Sequence, residues 1–330
     1  MGLHWLVCSR RDTHVPSQRS TLDVAAFTTC ALIWGTSWHA IKLQLGTVDP
    51  LVSVVYRFGL AALLLFGWCA LSKQSLALSA RQHQAALGMG LCMFAIDYGC
   101  VYEAEVRVAS AVVAMVFAAT PFFNLLGFRL LAAQRAPSTA CLAALLGAAG
   151  VGLLSWGEIV RGAVDVRALD GIALALLAVF GTVGGNLFAL RGERAGARLL
   201  PSTAWSMAYG VGLLALFDLI SGRVWRLPLT PGYLGSLLYL SIPGSVLAYL
   251  FYFSLARRRG YTLAAYISAL TPLIAMLMSS LYEGKRWGSF ALTGVVLVLA
   301  GQWLLLRPRR QAEGDTPSPW RRRQLAGRDA

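Results

Sequence analysis

Charged residues are scarce in this chain of 330 residues: Asp, Glu, Lys and Arg together make up 13%, about half their share in soluble domains. Hydrophobic residues make up 57%, and the mean hydropathy is +0.61. These values exclude an ordinary soluble domain. Several apolar runs of about 20 residues, each long enough to cross a bilayer, instead indicate an all-α integral membrane protein.

Motifs for catalysis, metal binding and nucleotide binding are also missing. The sequence has no CxxC, no Cys/His cluster at metal-ligand spacing, no HExxH, no GxSxG and no GxxxxGK[ST]. We therefore expect no metal, no cofactor, no ATP and no enzyme activity. The net charge of +14 comes from residues between the apolar runs and in the tail, so it does not indicate nucleic acid as a partner. The expected surroundings are the lipid bilayer, and the oligomeric state is left open.

Ten candidate spans follow from the apolar runs, and the connections between them are short. They cover residues 23–42, 50–71, 84–103, 106–130, 137–155, 170–190, 201–220, 232–254, 260–281 and 287–306. Residues 1–22 form a polar, basic N-terminal segment, and residues 307–330 form a basic tail. Most Lys and Arg residues outside the spans lie in segments that share a side with both termini. Cytoplasmic loops carry the excess of positive charge, so we expect both termini to be cytoplasmic in a bacterial-type inner (plasma) membrane.

The two halves of the chain resemble each other. At a shift of 151 residues, Tyr98 meets Tyr249 and Thr120-Pro121 meets Thr271-Pro272; at a shift of 146, Trp34-Gly35-Thr36 meets Phe180-Gly181-Thr182. The sequence therefore predicts two five-helix repeats, 23–155 and 170–306, joined by an outside loop at 156–169. Because five is odd, the second repeat is inverted. Inverted (5+5) repeats are typical of secondary transporters, with the substrate site near the midplane.

The two Thr-Pro pairs lie near the middle of their spans. A proline inside a helix leaves a backbone carbonyl without its donor and bends the helix. In hydrocarbon such a carbonyl is tolerated only against protein or a wet cavity. Thr120, Pro121, Thr271 and Pro272 therefore predict helix kinks near a central cavity, although kinks that serve packing alone are the alternative.

The stretch Trp34-Gly35-Thr36-Ser37-Trp38-His39-Ala40-Ile41-Lys42 places polar groups inside the first apolar run. Trp38, His39 and Lys42 share one helix face. Lys42 is at the outer end of the span, where it can also reach the membrane interface. His39 is one turn deeper and has two interpretations, a hydrogen bond between helices or a role with substrate or proton.

Arg57 and Asp97 are charged residues within the second and third spans, at similar depth on antiparallel helices. An unpaired charge in the membrane is costly, so we expect the two to form an ion pair. The pair is either a structural clamp or a switch opened by a substrate carboxylate or a proton. Tyr98, Tyr249 and Tyr266 add aromatic hydroxyls at membrane depth, and each could instead serve helix packing.

These features resemble the EamA-type transporters of the drug/metabolite transporter (DMT) superfamily. The resemblance rests on the WGTSWHAIK stretch, on Pro50 followed by Arg57, on both Thr-Pro kinks and on the glycine-rich fifth and tenth spans, and it covers about residues 22–306. It implies a ten-helix permease with a central cavity that moves amino acids, nucleotide-like metabolites, amines or drugs, often outward. The chain departs from the family where Ala132 stands opposite Glu283, since an acidic residue is usual there.

The residues themselves suggest the solute. Lys42 and Arg57 suit a carboxylate, and Trp38, Tyr98, Tyr249 and Tyr266 could form its walls, so an amino acid or related small carboxylate is the first hypothesis. Export of cationic drugs or amines, bound at Asp97, is the second. A receptor or scaffold that moves no solute is a remote third. Energy would come from a gradient, with Asp97 and His39 as candidates for proton coupling.

Overall fold

A computed structural model describes most of the chain as helices. The described residues are 16–132, 142, 145–147, 149, 150, 152, 153, 166–282, 284 and 286–306. Residues 1–15, most of the fifth candidate span at 137–155, the loop core at 156–165 and the tail from 307 lie outside them. Within the described ranges the long helices are α1 Pro16–Lys42, α2 Pro50–Leu71, α3 Ala80–Arg107, α4 Ser110–Leu131, α5 Val166–Arg194, α6 Leu199–Ile220, α7 Pro231–Arg259, α8 Tyr261–Tyr282 and α9 Ser289–Leu306.

Helices α2 to α8 are each long and apolar enough to cross a membrane, which makes seven among the described residues. Helix α1 covers the expected first span and begins seven residues earlier, at Pro16. Helix α9 covers the expected tenth span and includes the shorter apolar helix Ser289–Gly301. No β-strand occurs in the part of the chain that the structure describes. The described part of the chain is therefore all-helical, and its helices have the length and composition of an integral membrane protein.

Local sequence explains where several helices begin. The Asp49 side chain accepts a hydrogen bond from the Leu51 backbone nitrogen, and Pro50 occupies the first turn of α2. Helix α3 begins with a capping box between Ser79 and Gln82. Both arrangements satisfy backbone N–H groups that have no partner inside the helix.

Ion pairs mark the two ends of the bundle. We call the end at which α1 begins the proximal end and the opposite end the distal end. At the proximal end, Asp23 of α1 pairs with Arg258 and Arg259 of α7. At the distal end, Arg223, just after α6, pairs with Asp49, just before α2.

Glycines allow close crossings between the two halves of the chain. A Cβ atom on Gly35 of α1 would lie 2.6 Å from the Ile274 Cβ of α8, and one on Gly181 of α5 would lie 2.7 Å from the Cys92 carbonyl oxygen of α3. Gly35 and Gly181 are equivalent in the sequence repeat. Helix α1 thus packs with α7 and α8, and α5 packs with α3 and α4. We call these the first group (α1, α7, α8) and the second group (α3, α4, α5). Helices α2 and α6 contact each other, and both also contact α3 and α7; α4 and α8 join the two groups directly.

Helices α3 and α7 each contain a π-helical segment, Gly90–Asp97 and Ile242–Leu247. The segments lie at nearly equivalent positions of the repeat. A π-helical turn widens the backbone and breaks the usual hydrogen-bond register, and such turns are frequent at functional sites. Both segments face the centre of the bundle, where they position the groups described next.

Candidate functional site

A cavity of about 80 Å³ lies between the two groups of helices. Its walls are mostly aromatic and apolar, with one arginine, one aspartate and several hydroxyl groups. The lining residues are Trp34, Ser37, Trp38, Ile41, Arg57, Met93, Asp97, Tyr98, Val101, Phe117, Thr120, Thr182, Tyr249, Tyr252, Ala265, Ser268 and Thr271.

Arg57 projects from α2 and is buried, with 1% of its surface exposed. Its Nε atom donates to the Ser245 hydroxyl at 3.0 Å, and Nη2 lies 3.5 Å from the Gly244 carbonyl oxygen. Both acceptors belong to the π-helical segment of α7. The guanidinium carbon is 4.5 Å from the ring centre of Tyr98, a cation–π distance. Nη1 has no hydrogen-bond partner among the described residues, so one charged donor remains available in the cavity.

Asp97 ends the π-helical segment of α3 and is 3% exposed. Its Oδ2 atom accepts a hydrogen bond from the Thr182 hydroxyl at 2.6 Å. The crossing at Gly181, next in the chain, brings α5 close enough for this contact. Oδ1 has no hydrogen-bond partner within the described ranges. The cavity thus contains an available acceptor as well as an available donor.

The expected ion pair between Arg57 and Asp97 is not formed. None of the ion pairs between described residues joins them. The prediction was wrong because each charge is held by neutral groups: Arg57 by Ser245 and Gly244, and Asp97 by Thr182. The two side chains line the same cavity without neutralising each other directly.

The aromatic wall joins the two halves of the chain. The Tyr249 hydroxyl donates to the Tyr98 hydroxyl at 3.0 Å, although these residues are 151 positions apart. The Trp34 ring lies 5.3 Å from the rings of Tyr249 and Tyr252, and its Nε1 atom donates to the Gly244 carbonyl oxygen. Trp38 packs edge-on against Phe117. These rings form a wall suited to an apolar part of a solute.

The threonines of the two Thr-Pro pairs make equivalent hydrogen bonds to the backbone. The Thr120 hydroxyl donates to the Phe117 carbonyl oxygen at 2.5 Å, and the Thr271 hydroxyl donates to the Ser268 carbonyl oxygen at 3.0 Å. Each acceptor is the carbonyl four residues before the proline, which the proline itself cannot satisfy. In α4 the regular helix is interrupted at residues 118–119, just before Pro121. Both threonines line the cavity, whereas the two prolines do not.

Besides the two prolines, three predicted substrate-binding or coupling residues lie outside the cavity lining. Lys42 donates from Nζ to the Glu105 carbonyl oxygen at 3.2 Å, near the distal end. The His39 ring packs against the Tyr282 ring of α8, with centres 4.5 Å apart. Tyr266 is buried, with 5% of its surface exposed, and it does not line the cavity, whereas Ala265 and Ser268 of the same helix do.

The sequence patterns did not identify Trp34, Ser37, Thr182 and Tyr252 as cavity residues. Trp34, Ser37, Trp38 and Ile41 recur at helical spacing, so the cavity face of α1 could have been read from Trp38 alone. Thr182 is the repeat equivalent of Thr36, yet only Thr182 reaches the cavity. The Thr36 hydroxyl instead lies 2.6 Å from the Tyr239 hydroxyl.

Known proteins resemble the chain over most of its length. PecM of Dickeya dadantii (strain 3937) is 26% identical over 84% of this chain and 89% of its own length. YedA of Escherichia coli (strain K12), named an uncharacterized inner membrane transporter, is 28% identical over 83% of this chain and 89% of its own. An uncharacterized transporter of Archaeoglobus fulgidus is 26% identical over 85% of this chain and 96% of its own length.

A solved crystal structure shares the fold, with a TM-score of 0.65 at 16% identity over 86% of this chain and 96% of that one. The EamA-like transporter family matches the chain twice, at residues 23–156 and 169–307. YedA and the Archaeoglobus fulgidus relative are both named as transporters. This chain therefore belongs to the EamA-like transporter family of the DMT superfamily, and it is a membrane transporter rather than an enzyme.

Proposed function

We propose that the protein transports small amino acids, or closely related carboxylates, by secondary-active alternating access through the central cavity. The observation that carries this proposal is the pair of available groups in one cavity. Arg57 Nη1 can donate to a carboxylate, and Asp97 Oδ1 can accept from an ammonium group. An α-amino acid presents both groups on one carbon atom.

The cost of burying charge supports a zwitterionic solute. A buried charge is tolerated when opposite charges and hydrogen bonds compensate it. Arg57 and Asp97 each have partial compensation from neutral groups, and a bound zwitterion would complete it at both sites. The rings of Trp34, Trp38 and Tyr249 would then contact the apolar side chain of the solute.

The proposed architecture has ten spans in two inverted five-helix repeats, 23–155 and 170–306, with the fifth span at 137–155. Nearly equivalent π-helical segments and the contact between Tyr98 and Tyr249 support this arrangement. A residue that touches its own repeat equivalent must lie next to the two-fold axis that relates the repeats. Both termini are then cytoplasmic and the proximal end faces the cytoplasm of the plasma membrane. Transport uses a gradient, and Asp97 is the group proposed to exchange a proton.

Counterflow in liposomes tests the solute class. Vesicles are loaded with unlabelled amino acids, organic acids or amines, and uptake of the labelled counterpart is followed, so the driving gradient need not be known. We expect counterflow with amino acids and its loss in Arg57→Ala. Arg129→Ala, which removes an exposed arginine of α4 outside the cavity, is the matched control and should keep counterflow. Unchanged uptake by folded Arg57→Ala protein would rule out the carboxylate site.

Export of cationic drugs or amines is the second proposal, favoured by the free Asp97 Oδ1 atom beside aromatic rings, which also attract cations. The variant that tests this proposal is Asp97→Asn, which keeps the size of the side chain and removes its negative charge. Counterflow with amines alone, lost in Asp97→Asn and kept in Arg57→Ala, would establish this proposal in place of the first. Amine counterflow that persists in folded Asp97→Asn protein would exclude it.

A further inference from the structure

A second, smaller cavity of about 20 Å³ lies on the proximal side of the central cavity. Its lining includes Met89, Phe188, Phe253, Arg257 and Tyr261. We call it the proximal cavity. It shares four helices with the central cavity: α3, α5, α7 and α8. The two cavities therefore lie in series along the same helices.

The boundary between them is thin, at most about two helical turns on these helices. On α3, Met93 lines the central cavity and Met89 the proximal one; on α5, Thr182 lines the first and Phe188 the second. On α7, Tyr252 lines the central cavity and its neighbour Phe253 the proximal one. A solute that leaves the central cavity along these helices must pass this boundary.

A network of uncharged hydrogen bonds occupies the boundary. The Tyr252 hydroxyl donates to Asn186 Oδ1 at 3.1 Å, and Asn186 Nδ2 donates to Asn124 Oδ1 at 3.1 Å. Asn124 Nδ2 donates to the Tyr261 carbonyl oxygen at 3.2 Å. Both asparagines are fully buried, and Tyr252 is 3% exposed. The network joins α4 and α5 of the second group to α7 and α8 of the first group.

The asparagines point along the path that a solute would take. Asn124 lies one turn after Thr120 on α4, and Asn186 lies one turn after Thr182 on α5. Residues four apart share a helix face, so both asparagines continue a face that lines the central cavity. Neutral hydrogen bonds are weaker than charge-assisted ones, and water or a polar solute can replace them. Such contacts can open and close repeatedly.

We propose that the hydrogen bonds among Asn124, Asn186 and Tyr252 form the proximal gate of the transport path. The gate is closed in this structure. It opens when the first and second groups of helices separate at their proximal ends, and it then connects the central cavity to the proximal cavity. This inference rests on the proposed alternating access, and it is independent of which solute the central cavity binds.

Thiol labelling tests the gate. Ser268→Cys places a thiol in the central cavity, in a chain whose six native cysteines are replaced and whose counterflow is retained. Tyr252→Phe is then added, which removes the hydroxyl and keeps the ring. A membrane-impermeant thiol reagent is applied to each side of the vesicles in turn. We expect labelling from the proximal side, and not from the distal side, to become about threefold to tenfold faster than in the chain with Tyr252. This is the change in the open population that the loss of one hydrogen bond within a membrane supports.

Tyr239→Phe is the matched control. It also removes one tyrosine hydroxyl of α7, but that hydroxyl bonds Thr36 of α1 within the first group, so labelling should not change. Asn124→Ala interrupts the network from α4 and should accelerate labelling as Tyr252→Phe does. The gate is refuted by unchanged labelling in both network variants, or by equal acceleration in Tyr239→Phe. Faster labelling in a protein whose counterflow is with amines and not with amino acids would support the gate and reject the proposed solute instead.

Discussion

Arg57 and Asp97 show how single residues in this protein retain binding capacity. Each side chain is almost completely buried, yet each keeps one polar atom without a partner. A direct ion pair would have used both atoms. Neutral partners hold the two side chains in place and leave one donor and one acceptor for a solute.

Thr182 is the residue that positions Asp97, through the hydrogen bond to Oδ2. Thr182→Val keeps the shape of the side chain and leaves a buried acceptor without a donor. An unsatisfied buried group costs about 1–3 kcal/mol, so we expect the free energy of unfolding to fall by about this amount. Thermal unfolding in detergent measures the change. Thr182→Ser keeps the hydroxyl and should stay near the parent. A Thr182→Val protein as stable as the parent would show that the hydrogen bond does not contribute to stability.

At the scale of helices, kinks and π-helical segments create the cavity by changing the backbone register. The π-helical segment of α7 presents Gly244 and Ser245 to Arg57, and that of α3 ends at Asp97. In α4 and α8, a threonine hydroxyl satisfies the carbonyl that the following proline leaves free. The Thr-Pro pair is thus a self-contained way to place an irregular backbone inside a membrane.

The Thr-Pro mechanism predicts a compensating pair of substitutions. Thr120→Val should lower the free energy of unfolding by about 1–3 kcal/mol, because the Phe117 carbonyl loses its donor. Pro121→Ala supplies a backbone N–H to that carbonyl, so the double variant should recover most of the loss. A double-mutant cycle from thermal unfolding in detergent measures the coupling. Additive effects would show that the hydroxyl does not replace the missing N–H group.

Helix positions followed from the sequence better than helix lengths did. The second span was predicted at 50–71, the bounds of α2. The third was predicted at 84–103, whereas α3 covers Ala80–Arg107, because capped polar turns extend helices beyond their apolar part. The π-helical segments were not predicted. Pro243 and Gly244 in the α7 segment are a local signal of an irregular helix. The α3 segment contains no proline, and its wider turn depends on contacts with other helices.

For the whole molecule, the two halves share a backbone plan but not their charges. The repeat equivalents of Arg57 and Asp97 are Ala208 and Ala248. Tyr98 and Tyr249, by contrast, are equivalent and touch each other. The repeat therefore supplies the symmetric framework of the proposed transport cycle, and the unpaired charges make the cavity asymmetric.

The proposed ten-span topology predicts where the chain ends lie. Fusion of green fluorescent protein, which fluoresces when it folds in the cytoplasm, should give a signal at either terminus. Fusion of alkaline phosphatase, which is active only outside, should give none at either terminus. An alkaline phosphatase fusion within the expected outside loop at 156–169 is the control and should be active. Termini on opposite sides would mean an odd number of spans and would reject the inverted (5+5) arrangement.

The sequence by itself determined the membrane class, the approximate helices, the repeat and the presence of charges within the apolar spans. These properties depend on composition and on spacing along the chain, which are local. Only the tertiary structure decided which side chains meet. Arg57 binds a hydroxyl 188 residues away, and Asp97 binds one 85 residues away. Such partners are set by how helices cross at Gly35 and Gly181, so no local pattern around Arg57 or Asp97 could have identified them.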